Sequence, residues 1–190
     1  MPVSTHKRIV GDTLLKLNGI AYQNDDPFDW SSYTAKFETE TDSGTSVTAA
    51  TATGMTAHPT QTFTLDSTNN WLSCNGHGVQ NGDQVVLATS GNFTSSGVAA
   101  STRYFVVNRT ANNFQVATIA NGAAIDITGA GSGTHTFYVV GSYQYDFTSG
   151  EAGTVRHLRG WASAWDGSSE IATFPNDAQG IPIEIVAKGN

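Results

Sequence analysis

One cysteine and one histidine have the spacing of a metal-ligand pair. Cys74 and His77 form a C-x-x-H sequence, which can supply two ligands of a tetrahedral zinc site. No second Cys/His pair in the sequence completes such a site, and the five histidines are scattered. We therefore interpret Cys74 as the end of a strand and His77 as part of a glycine-flanked loop. We predict no metal site and no cofactor.

Three carboxylates cluster at Asp25, Asp26 and Asp29. Clustered carboxylates can bind Ca²⁺, but this spacing is not that of an EF-hand and no glycine stands at its bend. The sequence favours a solvated acidic loop.

The sequence gives little support for catalysis by serine, histidine or carboxylate side chains. No nucleophile elbow of the form G-x-S-x-G occurs, so we predict no catalytic residues and no enzymatic activity. A hydrolase of cell-surface polymer would need paired carboxylates in a cleft, and no pair stands in a convincing context.

Two tryptophans are the candidate binding residues. Trp161 and Trp165 are four positions apart, and such positions share one face of a strand. They can form an aromatic platform for a partner protein or a glycan. The interpretation that we favour is that they are core anchors of a β-sandwich.

The composition favours strands over helices and argues against several partners. Only 13% of the 190 residues are charged, about half the usual quarter, while Thr, Ser, Gly, Ala and Asn are abundant. The net charge is −7 and the basic residues are dispersed, which argues against nucleic acid. No apolar run has the length of a membrane span, and residues 1–10 lack the apolar region of a secretory signal. A single cysteine fits synthesis in a reducing cytoplasm.

Alternation of apolar and polar residues predicts the strands. The clearest pattern lies at residues 33–40. A turn entering a strand is predicted at 11–17, and further strands at 45–53, 61–65, 83–88, 103–108, 113–117, 133–138, 143–147, 155–165, 171–174 and 181–186. Asp166-Gly167 is a hairpin signal, and Pro182 places the start of the last strand at a sheet edge.

The two ends of the chain carry an ordered set of motifs. These are Val10-Gly11-Asp12-Thr13, the strand at 33–40, Gly153-Thr154-Val155, Trp165-Asp166-Gly167, Thr173-Phe174-Pro175-Asn176-Asp177 and Ile183-Glu184-Ile185. They resemble the immunoglobulin-like N-terminal domain of the phage baseplate upper protein family, although Val155 stands where an aromatic residue is common. The resemblance covers about half the chain.

The middle of the chain carries a second set of motifs. These are Asn75-Gly76-His77-Gly78-Val79-Gln80-Asn81-Gly82-Asp83, Arg103-Tyr104-Phe105-Val106-Val107-Asn108, Asn113-Phe114-Gln115-Val116-Ala117 and Gly131-Ser132-Gly133-Thr134-His135-Thr136-Phe137. They are similar to a β-module that recurs in phage tail, fibre and head-associated proteins.

The two resemblances nest, and together they imply an architecture. We predict an all-β chain in which residues 1–55 and 140–190 form an immunoglobulin-like β-sandwich. A second small β-sandwich or barrel, residues 56–139, is inserted in one loop, which is physically cheap where both ends emerge close together.

The resemblances also imply a function. We expect a structural subunit of a tailed-phage virion, an adaptor or decoration protein at the capsid surface, neck, tail or baseplate, made in the bacterial host cytoplasm. It would assemble with other virion proteins and with copies of itself. The sequence lacks the helical linker and C-terminal region with which a baseplate upper protein carries a receptor-binding trimer, so a place outside the baseplate is equally open. The alternative is a carbohydrate-binding module for host surface glycan.

Overall fold

Strands make up the regular structure of the chain. The structure, a computed structural model, describes residues 6–9, 16–41, 46–48, 55–93, 96–147, 156–174 and 181–186. Within these ranges the regular elements are strands and one short 3-10 helix at Trp30–Ser32, so the prediction of an all-β chain is confirmed. None of the described helical residues forms a segment of the length and apolarity that a membrane crossing requires. The motif residues 10–13, 153–155 and 175–177 lie outside the described residues.

The described strands follow the predicted pattern closely in most places. In chain order they are β1 His6–Ile9, β2 Lys16–Ile20, β3 Tyr22–Gln23, β4 Asp26–Pro27, β5 Thr34–Thr41, β6 Ser46–Thr48, β7 Met55–Ala57, β8 Gln61–Asp66, β9 Trp71–Ser73, β10 Gln84–Thr89, β11 Arg103–Val107, β12 Asn113–Ala117, β13 His135–Val139, β14 Ser142–Asp146, β15 Arg156–Asp166, β16 Ser169–Phe174 and β17 Ile181–Val186.

The chain divides into two compact units. Unit 1 comprises Met1–Ala57 and Gly141–Asn190, and unit 2 comprises His58–Val140. Unit 1 is therefore discontinuous in sequence, whereas unit 2 is one continuous segment.

Unit 1 contains two main sheets. The larger has the order β1-β17-β15-β5-β6, with β16 pairing the second half of β15, and the smaller has the order β2-β14-β7. Strand β1 pairs in parallel with β17, and the other pairs are antiparallel. The register between β1 and β17 begins at Ile183, so among the described residues the partner of Pro182 is Arg159 of β15.

One aromatic core joins the two sheets of unit 1. Phe37 of β5 stacks on Tyr145 of β14 with 4.3 Å between ring centroids. Trp30 is almost fully buried and meets Phe174 of β16 edge to face at 5.5 Å. The remaining buried members are Leu17, Ala21, Phe28, Met55, Tyr143, Phe147, Ala162 and Ala164. Because aromatic side chains bury large areas, this cluster contributes strongly to the stability of unit 1.

Unit 2 is a closed barrel of six strands. Its order is β10-β11-β12-β9-β8-β13, and each neighbouring pair is antiparallel. Side chains that alternate along the strands fill the interior, among them Phe63, Leu72, Leu87, Phe114 and Phe137. Closure leaves no free sheet edge, which explains how several short strands can form a stable unit.

The carbonyl of Gly141 organises the loop between β2 and β5. It accepts hydrogen bonds from Ala21 N at 2.9 Å and from the buried indole Nε1 of Trp30 at 2.9 Å. Gly141 has a φ of +79°, and a Cβ at this position would lie 2.6 Å from the carbonyl oxygen of Ala21. Only glycine fits here without moving the backbone.

We expect Gly141→Ala to lower the free energy of unfolding of unit 1 by about 3 kcal/mol or more, because left-handed strain and steric overlap add. The matched control is Gly167→Ala, where φ is +59° and nothing lies within 4 Å of an added Cβ, so that strain alone costs roughly 1–2 kcal/mol. Native-state amide hydrogen exchange of β2 and β14 measures both losses. Equal losses would show that the packing around Gly141 is not tight.

Candidate functional site

Trp161 and Trp165 lie on the outward face of β15. Ala162 and Ala164, which alternate with them, are fully buried in the core of unit 1. Both tryptophans are half-buried, and neither is a member of that core among the described residues. The interpretation of these tryptophans as core anchors is therefore wrong. The inward positions are occupied by alanines because aromatic side chains from other parts of unit 1 fill the space next to them.

Neighbouring strands add charged side chains to this face. On β5, Glu38 is opposite Trp161 and Lys36 is opposite Ser163. On β16, Glu170 is opposite Trp165. We call this surface the tryptophan face; its members are Lys36, Glu38, Trp161, Ser163, Trp165 and Glu170.

Two contacts hold the ring of Trp165. The ammonium Nζ of Lys36 lies 3.4 Å from the ring centroid, a distance at which a cation is attracted to the π system. The indole Nε1 donates to Ser163 Oγ at 2.9 Å, and Ser163 itself is fully buried. The ring is therefore fixed against the strand while part of its surface remains in contact with solvent.

A bulge borders the tryptophan face. The register between β15 and β16 shifts between Ala164 and Trp165, so that Ile171 has no residue opposite it. Bulges often re-aim side chains at functional sites. Here Ile171 is 48% exposed, which adds an apolar side chain to the solvent-facing part of β16.

The carboxyl of Glu38 has an unusual environment. Partial burial raises the pKa of Glu38, the negative charge of Glu170 raises it further, and the smaller effect of Lys36 lowers it. The two carboxylates therefore repel each other across β15, and the single ammonium beside them does not fully compensate.

The structure does not form a metal site from Cys74 and His77. His77 is buried, its Nδ1 accepts from Val79 N at 3.1 Å, and Nε2 has no hydrogen-bond partner in the described part of the chain. The thiol of Cys74 donates to Gln61 Oε1 at 3.5 Å instead, and burial raises the pKa of the thiol. Across the described residues, no group of three or more His, Cys, Asp or Glu is arranged to hold a metal ion.

The acidic loop at Asp25, Asp26 and Asp29 has a structural role. Asn24 and Asp25 have φ values of 52° and 67° and turn the chain between β3 and β4. Asp29 caps the 3-10 helix by accepting from Ser31 N at 3.0 Å. All three carboxylates are exposed, as expected for a solvated loop.

Unit 2 has an open groove between β8 and the loop before β13. Its volume is about 390 Å³, and it is lined by Thr62, Phe63, Thr64, Leu65 and residues 130–135. His135 at its end is buried, with Nε2 2.8 Å from the carbonyl of Ala130 and Nδ1 2.9 Å from Thr89 Oγ1. Both ring nitrogens are thus used to attach the loop to the barrel, so we assign His135 a structural role.

No family model, curated protein or solved structure matches this chain. The tryptophan face is therefore the candidate site on geometric grounds.

The sequence identified Trp161 and Trp165 as candidate binding residues but did not connect them with the charged members of this face. The alternation at residues 33–40 already placed Lys36 and Glu38 on one face of a strand. Their closeness to Trp161 and Trp165 depends on the pairing of β5 with β15, which brings together residues more than a hundred positions apart. Local alternation carries no information about that pairing.

We expect Glu170→Gln to lower the pKa of Glu38, which stays above its ordinary value because burial is the larger cause. Lys36→Met should raise it further. The pH titration of the Glu38 side-chain carboxyl, followed by NMR, measures both shifts, and an unchanged pKa in both variants would contradict the described electrostatics.

The same shift makes stability depend on pH. A raised pKa means that the folded protein binds this proton more tightly than the unfolded chain does. The protonated Glu38 side chain therefore contributes to the free energy of unfolding in acid. This contribution is lost as the pH rises through the pKa of Glu38 in the folded state. We expect Glu38→Gln to be more stable than the wild type at neutral pH and to lose this advantage at acid pH.

Proposed function

We propose that this protein is a structural subunit of a tailed-phage virion, an adaptor or decoration protein that acts by binding other virion proteins. The observation that carries the proposal is the tryptophan face. Two large aromatic side chains remain partly exposed on the outer side of the sheet, and neither belongs to the core of unit 1 among the described residues. Tryptophan is enriched among the residues that dominate the energy of protein–protein interfaces. The link to a virion rests on the resemblances of the sequence motifs.

The strand order of unit 1 supports an immunoglobulin-like sandwich. In that fold, one sheet has the order G-F-C-C′ and the other contains B-E-D. The orders β17-β15-β5-β6 and β2-β14-β7 correspond to these, and the strands also occur in the same succession along the chain. The aromatic core between the two sheets agrees with such a sandwich.

The barrel supports the proposal of an inserted module. In the correspondence above, β7 is strand D and β14 is strand E, so His58–Val140 occupies the connection between D and E. Unit 2 has its own closed barrel and its own hydrophobic core. A segment with these properties is compatible with a separately folding domain carried in one loop.

A binding subunit of this kind gains affinity from repetition. Contacts that are individually weak add up when many copies occupy equivalent positions on a symmetric particle. The proposed partners are therefore capsid, neck, tail or baseplate proteins, together with further copies of this chain in the same particle.

One alternative has an observation in its favour. Partly exposed tryptophans on the same face as the carboxylates of Glu38 and Glu170 also suit a glycan, because sugars stack on aromatic rings and donate hydrogen bonds to carboxylates. Against it, the Lys36 ammonium occupies one face of the Trp165 ring at 3.4 Å. A glycan would have to displace that ammonium or use the other face. Glycan-array binding that is lost in Trp165→Ala would favour this alternative.

We expect Trp161→Ser with Trp165→Ser to reduce incorporation of the chain into particles at least about tenfold, because interface tryptophans commonly contribute 2 kcal/mol or more. The control is Ile119→Ser, since Ile119 is 66% exposed and belongs to unit 2. Quantitative mass spectrometry of purified particles measures the number of copies per particle, and thermal unfolding verifies that each variant folds. Absence of the wild-type chain from purified particles would refute the proposal.

A further inference from the structure

The tryptophan face has an excess of negative charge at its centre. The carboxylates of Glu38 and Glu170 act on each other across β15, and Lys36 is the ammonium beside them. That ammonium lies over the Trp165 ring, so it interacts with the ring as well as with the carboxylates. Arg159 stands at the next outward position along β15, but it is not among the charges that shift the pKa of Glu38.

This charge imbalance becomes more costly in free energy when a partner excludes water from the face. A partner that covers the face would bury two carboxylates with one ammonium, and an uncompensated buried charge is costly. A partner that supplies a cation would remove that cost and would strengthen the attraction in the drier interface. The complementary occupant of this face therefore carries a positive charge.

Among cationic side chains, arginine suits this surface best. Its guanidinium is planar, forms paired hydrogen bonds with carboxylates and stacks on aromatic rings, whereas an ammonium acts as a strongly hydrated point charge. The tryptophan face offers carboxylates and indole rings on adjacent strands. A second copy of this chain is a poor occupant, because each copy has a net charge of −7.

We propose, building on the function proposed above, that the tryptophan face binds a different virion protein through an arginine-bearing segment. The guanidinium is held by the carboxylates of Glu38 and Glu170, and the apolar part of the segment covers the tryptophans. Copies of this chain then assemble side by side through this partner instead of through their tryptophan faces.

The test uses particles produced without this chain, to which the purified full chain is added back. Glu38→Gln with Glu170→Gln should weaken binding at least about tenfold, as expected for loss of charge pairs in an interface. The matched control is Asp25→Asn with Asp26→Asn, which removes the same charge from exposed positions of unit 1 and should change binding less than about twofold, as surface charges away from the interface do. The amide variants keep the shape of each side chain, and thermal unfolding verifies their folding.

Chemical modification of the particles distinguishes arginine from lysine. After treatment with phenylglyoxal, which modifies arginine, the wild type and the Glu38→Gln/Glu170→Gln variant should bind equally. The modification removes the same arginine–carboxylate contact that the variant already lacks, so the substitutions cause no further loss. After acetylation of lysines the difference between them should persist. A difference that disappears on lysine acetylation would overturn the assignment to arginine.

The outcomes separate this inference from the function on which it rests. Binding of the wild type together with equal binding of Glu38→Gln/Glu170→Gln would overturn the arginine contact and leave the assembly role standing. No binding of the wild type to particles would overturn both.

Discussion

The alternation of strand β15 determines both the core and the surface of unit 1. Successive side chains of a strand point to opposite sides, so once one set of alternate positions faces the core, the other set faces outward. Ala162 and Ala164 face inward, where Phe28, Trp30 and Phe174 already fill the space. If large residues stood at the two alanine positions, they would overfill a core that packs at crystal-like density. The tryptophans at the neighbouring positions consequently face outward.

This arrangement explains where sequence reasoning succeeded and where it failed. Alternation located β5 and β12 almost to the residue, because their patterning and turn signals are local. The same reasoning took Trp161 and Trp165 for core residues, because large apolar side chains usually point inward. Which side of β15 is inward depends on aromatic residues elsewhere in unit 1, and no local pattern reveals them. Strands β1, β3, β4, β7 and β9 were also missed, since they have two to four residues each and are defined by their partners.

The glycine-rich motifs in the middle of the chain serve the fold of unit 2. In the motif at residues 75–83, Gly76, Gly78 and Gly82 have positive φ values, and the Asp83 carboxylate accepts from Gln80 N at 2.7 Å. In the motif at residues 131–137, a Cβ on Gly133 would lie 2.5 Å from Gly91 N, so glycine permits two loops to approach closely. The histidines of both motifs are buried. These residues maintain turns and close backbone contacts, so they identify a fold without identifying what it binds.

The tryptophan face differs from those motifs because its features are not explained by folding alone. A surface selected only for solubility would keep the charge of Glu170 away from Glu38, whose pKa it raises, and it would not leave tryptophan rings in contact with water. The cation–π contact of Lys36 and the hydrogen bond to Ser163 hold Trp165 in place before any partner arrives. A side chain that is already ordered loses less conformational entropy on binding. In the proposed complex, a cationic and partly apolar segment would neutralise the unfavourable charge and cover the pre-ordered ring. For this reason we propose that the tryptophan face is one half of an interface.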